Sequence, residues 1–139
     1  MFTIVQKQYN TIQEHIDVSN NKTRKCSHCN NITSGTYKYN SSPHFWMIGF
    51  TQNSYDIEVS KAITLNSEAG PVNLSICGVI YYTGNHFVSR LISPTGEVWY
   101  HDGIETKHQC VCEGHLIDFS ENILKFQGSK RDVGVVYSA

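Results

Sequence analysis

An imidazole paired with a carboxylate is the first chemistry the sequence offers. His86 opens the strand-like run His86–Ile92 and Asp102 closes the run Glu97–Asp102. Between them, Ser93-Pro94-Thr95-Gly96 has proline at the second turn position and glycine where a positive φ is wanted, the mark of a three-residue hairpin loop with a G1 bulge. In that register Ser93 faces Glu97, Val88 faces Asp102, and His86 shares a face with Val88. His86 and Asp102 become diagonal neighbours about 7–8 Å apart at the backbone, so the carboxylate can hold one ring nitrogen and aim the other at a reacting group. A loop one residue shorter or longer would separate them onto opposite faces. The same residues also suit a sheet histidine with a satisfied hydrogen bond and an aspartate opening a turn with Gly103. A hydrolytic pair needs a nucleophile as well.

The cysteines number five, an odd count that disfavours a disulfide framework in a chain without a secretion signal. Cys26-Ser27-His28-Cys29 has the loop spacing of half a tetrahedral zinc site. Cys110 and Cys112, or His28, His44 and His108, could complete it. The expectation is a knuckle without metal, zinc being the one cofactor the sequence admits. As a nucleophile Cys77 is too distant: it lies five residues before Tyr82, taken to oppose His86, and so roughly 17 Å away along the strand. Nothing directs Cys110 or Cys112 back onto Asp102. All three read as structural thiols.

The elements that must position these groups fit one domain of 139 residues. Val5, Tyr9, Ile12 and Ile16 recur at helical spacing and predict a helix ending near Ile16, followed by a polar loop, Asp17 to Lys25. Beyond it come β-branched and aromatic runs at 33–39, 44–50, 55–59, 72–82, 86–92, 97–102 and 133–137, which predict antiparallel sheet. Thr83-Gly84-Asn85 should turn the chain between 72–82 and 86–92, giving three consecutive antiparallel strands. Phe45, Trp46, Phe50, Phe87 and Trp99 are expected mostly in the core, with 44–50 a central strand covered on both faces. Eleven Lys+Arg balance twelve Asp+Glu, which argues against a basic nucleic-acid binder. No run is long enough to span a membrane, and Met1–Val5 is too short for a signal core. A soluble intracellular protein without membrane or nucleic-acid partners is expected, and the sequons at Asn21, Asn31, Asn40 and Asn73 are not expected to be glycosylated.

Gly84-Asn85-His86-Phe87-Val88-Ser89-Arg90 and Val98-Trp99-Tyr100-His101-Asp102-Gly103 resemble the histidine box and following aspartate of the ubiquitin-specific protease family. Val72–Tyr82 looks like the strand leading into that box and Val133–Tyr137 like the closing strand. Cys26-Ser27-His28-Cys29 resembles the second of two Cys-x-x-Cys knuckles in the family's finger subdomain. The order agrees over roughly residues 20–138, with wording nearest to divergent members carried by mobile elements. The resemblance implies an α+β, mostly antiparallel, papain-like fold comprising the palm and part of the fingers, with the N-terminal thumb missing. Residues 1–139 would be the C-terminal half of such a domain: 1–30 a short helix and knuckle, 31–139 the β-rich palm.

The activity implied is deubiquitination, cleavage of the isopeptide after ubiquitin's terminal glycine by a cysteine thiolate, with His86 as base and Asp102 as its orienter. Ubiquitin or a ubiquitin-like protein, and a complementing N-terminal half, are the implied partners, in the cytoplasm or nucleus. The departures are as specific. No residue matches the family's nucleophile, the first knuckle is absent, Asn85 replaces the second glycine before the histidine, and Trp99–Asp102 is one residue shorter than usual. The chain should therefore be silent alone, or serve as a catalytically dead module that holds a ubiquitin tail or another extended peptide along a strand edge. An apolar sheet face should stand uncovered where the missing half belongs, and substituting His86 or Asp102 should leave folding nearly unchanged.

Overall fold

A computed structural model describes residues 2–5, 9–51 and 57–139. The elements in chain order are β1 (Phe2–Val5), α1 (Ile12–Asn20), β2 (Asn21–Lys25), β3 (Ile32–Thr36), β4 (Phe45–Phe50), β5 (Ala62–Ser67), β6 (Gly70–Thr83), β7 (His86–Ile92), β8 (Glu97–His101), β9 (Val111–His115), α2 (Glu121–Lys125), β10 (Phe126–Gln127) and β11 (Lys130–Ser138). One sheet runs in the order β1-β4-β11-β6-β7-β8-β9, with β10 beside β11 and β5 beside β6; β2 and β3 form a separate hairpin. Every pairing is antiparallel except β1 with β4. Among the described residues no helix is long and apolar enough to cross a membrane.

The N-terminal helix is shorter at its start and longer at its end than its apolar spacing predicts. Val5 belongs to β1, and α1 begins where Thr11 accepts the Glu14 N–H at 3.0 Å while the Glu14 carboxylate accepts the Asn10 N–H at 2.8 Å. This reciprocal cap decides the start over the hydrophobic period. At the other end the Asn21 side chain donates to the Asp17 carbonyl, so the polar 17–20 stretch stays helical, and 21–25 is a strand rather than a loop. Gln13 fastens α1 to the sheet by bonding both the N–H and the carbonyl of Thr64 on β5. The strand expected at 55–59 falls partly outside the described residues. Within 57–59 there is only a single bridge, from Glu58 to Thr11.

Both turns around β7 can be read at residue level. Between β7 and β8, Ser93 N–H bonds Glu97 O and Gly96 N–H bonds Ser93 O, each at 2.9 Å, with Gly96 at φ +94°. That is the expected three-residue loop, and Ile92 opposes Val98 as the parity argument requires. Between β6 and β7 the turn has two residues, not three. Gly84 and Asn85 both have positive φ, 56° and 70°, the type I′ geometry that matches strand twist, so Thr83 rather than Tyr82 opposes His86.

Alternation then divides the sheet residues. Trp46, Ile48, Val79, Tyr81, Val88, Val98, Val135 and Tyr137 enter one core with Ile12 and Ile16 of α1 and Leu124 of α2. On the opposite face Phe45, Phe87, Leu91 and Trp99 are 59%, 61%, 47% and 37% exposed. The expectation that Phe45, Phe87 and Trp99 are core residues, and that 44–50 is covered on both faces, is corrected here. Among the described residues both helices supply their buried side chains to the other side of the sheet, so this face has no cover. The uncovered apolar face matches the separate expectation of exposed sheet surface.

Candidate functional site

Continuing the β7–β8 ladder from Ser89↔His101 brings Val88 against Asp102, and His86, two residues further, onto the same side. His86 Nε2 lies 2.8 Å from Asp102 Oδ1. The diagonal contact argued from loop length is thus present, with the carboxylate on one ring nitrogen. The imidazole is about a quarter exposed, while the Asp102 side chain is almost wholly buried.

Asp102 is held by more than His86. Its Oδ1 also accepts the backbone N–H groups of Ile104 at 2.8 Å and Glu105 at 3.2 Å, and Oδ2 accepts the Tyr100 hydroxyl at 3.1 Å. Thr106 closes the turn, accepting from the Asp102 N–H and donating to the Asp102 carbonyl through its hydroxyl. Burial pushes the carboxyl's pKa up. The N–H groups of Ile104 and Glu105, with His86 and Tyr100, outweigh it and hold the group well below the usual carboxylate range. Burial and the neighbouring Asp102 charge push the Tyr100 phenol up to about 12. Truncating Asp102 to alanine would leave two N–H groups and a hydroxyl without their acceptor, whereas Asp102→Asn keeps one amide oxygen to accept them.

An ionised Asp102 is an acceptor only, so the hydrogen of the Nε2 contact belongs to the ring. The neutral imidazole then carries its lone pair on Nδ1, and among the described residues nothing hydrogen-bonds that atom. A lone pair aimed outward from a partly exposed ring, with its tautomer set by a buried carboxylate, can take a proton from a thiol, hydroxyl or water and return it.

None of Cys77, Cys110 and Cys112 stands in reach of His86. With Thr83 opposite His86, Cys77 is six residues along β6, roughly 20 Å away. Cys112 opposes Trp99, whose side chain leaves the sheet on the face away from Tyr100, Asp102 and His86; Cys110, two residues earlier, shares that parity. Cys110 and Cys112 are exposed and Cys77 is half-buried, its thiol donating to the Val136 carbonyl at 3.4 Å, so none of the three is a fully buried structural thiol.

Cys26 and Cys29 sit at the tip of the β2–β3 hairpin. Cys26 N–H bonds Asn31 O at 2.8 Å, Asn30 N–H bonds Cys26 O at 3.0 Å, and Asn30 takes φ +58°. The backbone N–H groups of Cys29 and His28, with the Cys29 thiol, point at the Cys26 sulfur and lower its pKa. The loop therefore presents two cysteines close together, with the Cys26 thiol made more acidic by these donors. Among the described residues no three His, Cys, Asp or Glu gather as a metal site, so Cys110, Cys112, His44 and His108 do not complete it. Two cysteines are half of what a structural zinc takes, and among the described residues no further ligand stands with them.

Sequence reasoning missed Tyr100, Thr106 and the Ile104–Glu105 N–H pair. Tyr100 was accessible by parity, two residues before Asp102 on the same face. Asp102 opening a turn with Gly103 was the signal for the N–H pair.

No family model matches the sequence, and no curated protein matches it. Solved structures do. A structure of the SAGA Ubp8/Sgf11/Sus1/Sgf73 DUB module bound to ubiquitin aldehyde superposes with a TM-score of 0.61 at 13% identity, covering 99% of this chain and 35% of that one. A SAGA DUB module bound to monoubiquitin gives 0.61 at 12% identity, covering 99% and 34%. A yeast SAGA DUB module carrying an Sgf73 variant gives 0.56 at 13%, covering 95% and 34%. The chain spans about a third of the length of the structures it matches. Its fold, mostly antiparallel β with few helices, is like that of part of these DUB modules.

Proposed function

We propose that the chain is the C-terminal, palm-and-finger part of a ubiquitin-specific-protease-like thiol hydrolase, contributing the base His86 and its orienter Asp102 to a site whose thiol it does not supply. The observation that carries this reading is the His86–Asp102 contact at 2.8 Å, with Nδ1 left outward, on a fold shared with ubiquitin-bound DUB modules. In the complete site Nδ1 takes the thiol proton, the sulfur bonds to the carbonyl carbon of ubiquitin's last glycine, and the imidazolium returns its proton to the departing lysine amine as the C–N bond breaks. Water, deprotonated by the same nitrogen, then releases the thioester. A complementing N-terminal half would have to bring its thiol to the His86 side of the sheet, the side opposite the exposed Phe87, Leu91 and Trp99. Alone the chain is silent. The knuckle, as half a site, would hold zinc only with two further ligands from such a half.

An alternative use of the same palm is to hold a ubiquitin tail or another extended peptide beside His86 without cleaving it. Titrating ¹⁵N-labelled chain with ubiquitin tests what both uses share. Amide shifts are expected at Asn85, His86, Phe87 and Ile104, and they vanish with ubiquitin lacking its C-terminal tail. An unperturbed start of β7 at high micromolar ubiquitin would count against recognition of this modifier.

A further inference from the structure

The charge balance of the whole chain conceals a segregation. Residues 18–55 contain no aspartate or glutamate but carry Lys22, Arg24, Lys25 and Lys38, leaving seven Lys+Arg against twelve carboxylates elsewhere. Lys22, Arg24 and Lys25 stand on β2, and every residue of β2 and of β3 is exposed. Cross-strand pairs Lys22↔Gly35 and Arg24↔Thr33 put both cations on one face, and Tyr37 extends that face, its N–H bonding the Asn20 carbonyl at 2.8 Å.

The Tyr37 ring is 48% exposed, with the Lys22 ammonium 5.4 Å from its centroid. Gly35 leaves the floor open, since a Cβ there would meet nothing within 4 Å. Lys22, Arg24, Thr33, Gly35 and Tyr37 line a shallow hollow of about 210 Å³. Among the described residues none of Lys22, Arg24, Lys25 and Lys38 is in an ion pair.

We propose that this face of the hairpin binds single-stranded nucleic acid, one base stacking on Tyr37 and neighbouring phosphates meeting Lys22 and Arg24. The exposed ring decides between anionic partners. A duplex keeps its bases stacked and unavailable, and an acidic peptide satisfies the cations without using the ring or the gap at Gly35, whereas an unpaired base uses all of them. Side chains two apart on a strand also match the step between successive phosphates of an extended strand. The hairpin site stands apart from His86, so either can fail without the other.

Fluorescence anisotropy of the full chain with labelled oligouridylate, oligothymidylate and a poly-glutamate peptide tests this. Binding of at least one oligonucleotide is expected, the better of the two naming RNA or DNA, and weakening about sevenfold for a fourfold rise in salt if two phosphates are neutralised. Tyr37→Ala should weaken it about tenfold and Tyr37→Phe hardly at all. The paired change Lys22→Gln with Arg24→Gln should flatten the salt dependence. Since these positions are exposed, thermal unfolding should be unchanged, and the Tyr37→Phe arm separates loss of the ring from loss of the hairpin. No binding at low salt, poly-glutamate bound as tightly as either oligonucleotide, or an unaffected Tyr37→Ala would each overturn the proposal.

Discussion

Arg90→Ala lowers the unfolding free energy by about 3–5 kcal/mol, as removal of one member of a buried charge network does. Arg90 is 6% exposed. Its Nε meets Glu113 Oε2 at 2.6 Å and a second nitrogen meets Oε1 at 3.3 Å, a two-point pairing that ties β7 to β9. The remaining nitrogen donates to the carbonyls of Phe126 at 2.8 Å and Ile123 at 3.0 Å and to the Tyr81 hydroxyl at 3.2 Å, while Tyr81 itself donates to the Leu124 carbonyl at 2.6 Å. The guanidinium also lies over the rings of Tyr81 and Phe119.

One side chain therefore holds α2 and β10 against the sheet, and alanine takes its donor from the Phe126 carbonyl and the Tyr81 phenol oxygen and leaves the Ile123 carbonyl only the Phe126 N–H. Arg90→Lys recovers little, because a point cation cannot serve a carboxylate and two carbonyls at once. Urea unfolding of the three proteins measures the difference, and a loss under about 1 kcal/mol would show the network to be incidental.

Asp132→Asn stabilises the protein at neutral pH and removes a pH slope that the wild type carries. Asp132 is 3% exposed on β11, and its Oδ2 is buried with no hydrogen-bond partner among the described residues. Burial raises its pKa from 3.8 to about 7, against the pull of Lys125 and Arg131. Between those two values the folded chain keeps a proton that the unfolded chain has lost, so stability falls as pH rises across the window and levels off above it.

The size is on the order of 4 kcal/mol. Other groups act in the opposite sense. Burial lowers the His15 pKa below 6.5, a contribution lost as pH falls through that range, and Asp102, held ionised, contributes above its ordinary carboxylate value and loses that contribution as the pH falls below it. The difference between wild type and Asp132→Asn isolates the Asp132 part. Thermal unfolding from about pH 4 to 8 should show the two curves diverging upward in pH. Parallel curves would mean that Asp132 is ionised throughout.

Much of this was legible before any coordinates. Ser93-Pro94-Thr95-Gly96 sets loop length, loop length sets parity, and parity brings His86 to Asp102: each step is local, so each survives folding. Thr83-Gly84-Asn85 misled by one residue because Thr83 is a good strand former and only the pair Gly84-Asn85 tolerates left-handed backbone. Val5 misled because a hydrophobic period does not know where a cap sits. β9, α2 and the Arg90–Glu113 pairing were invisible, since Val111–His115 has weak strand character and a contact 23 residues apart needs the sheet to be assembled first. Phe45, Phe87 and Trp99 were placed in the core on composition, which cannot report whether a covering layer is present.

The central claim is that a buried carboxylate fixes the histidine's tautomer and leaves one nitrogen ready to accept a proton. Long-range ¹H–¹⁵N correlation of the His86 ring at alkaline pH reads this directly. The account predicts hydrogen on Nε2 and a bare Nδ1, with the preference lost in Asp102→Ala. Hydrogen on Nδ1, or a tautomer mixture identical in wild type and Asp102→Ala, would contradict it.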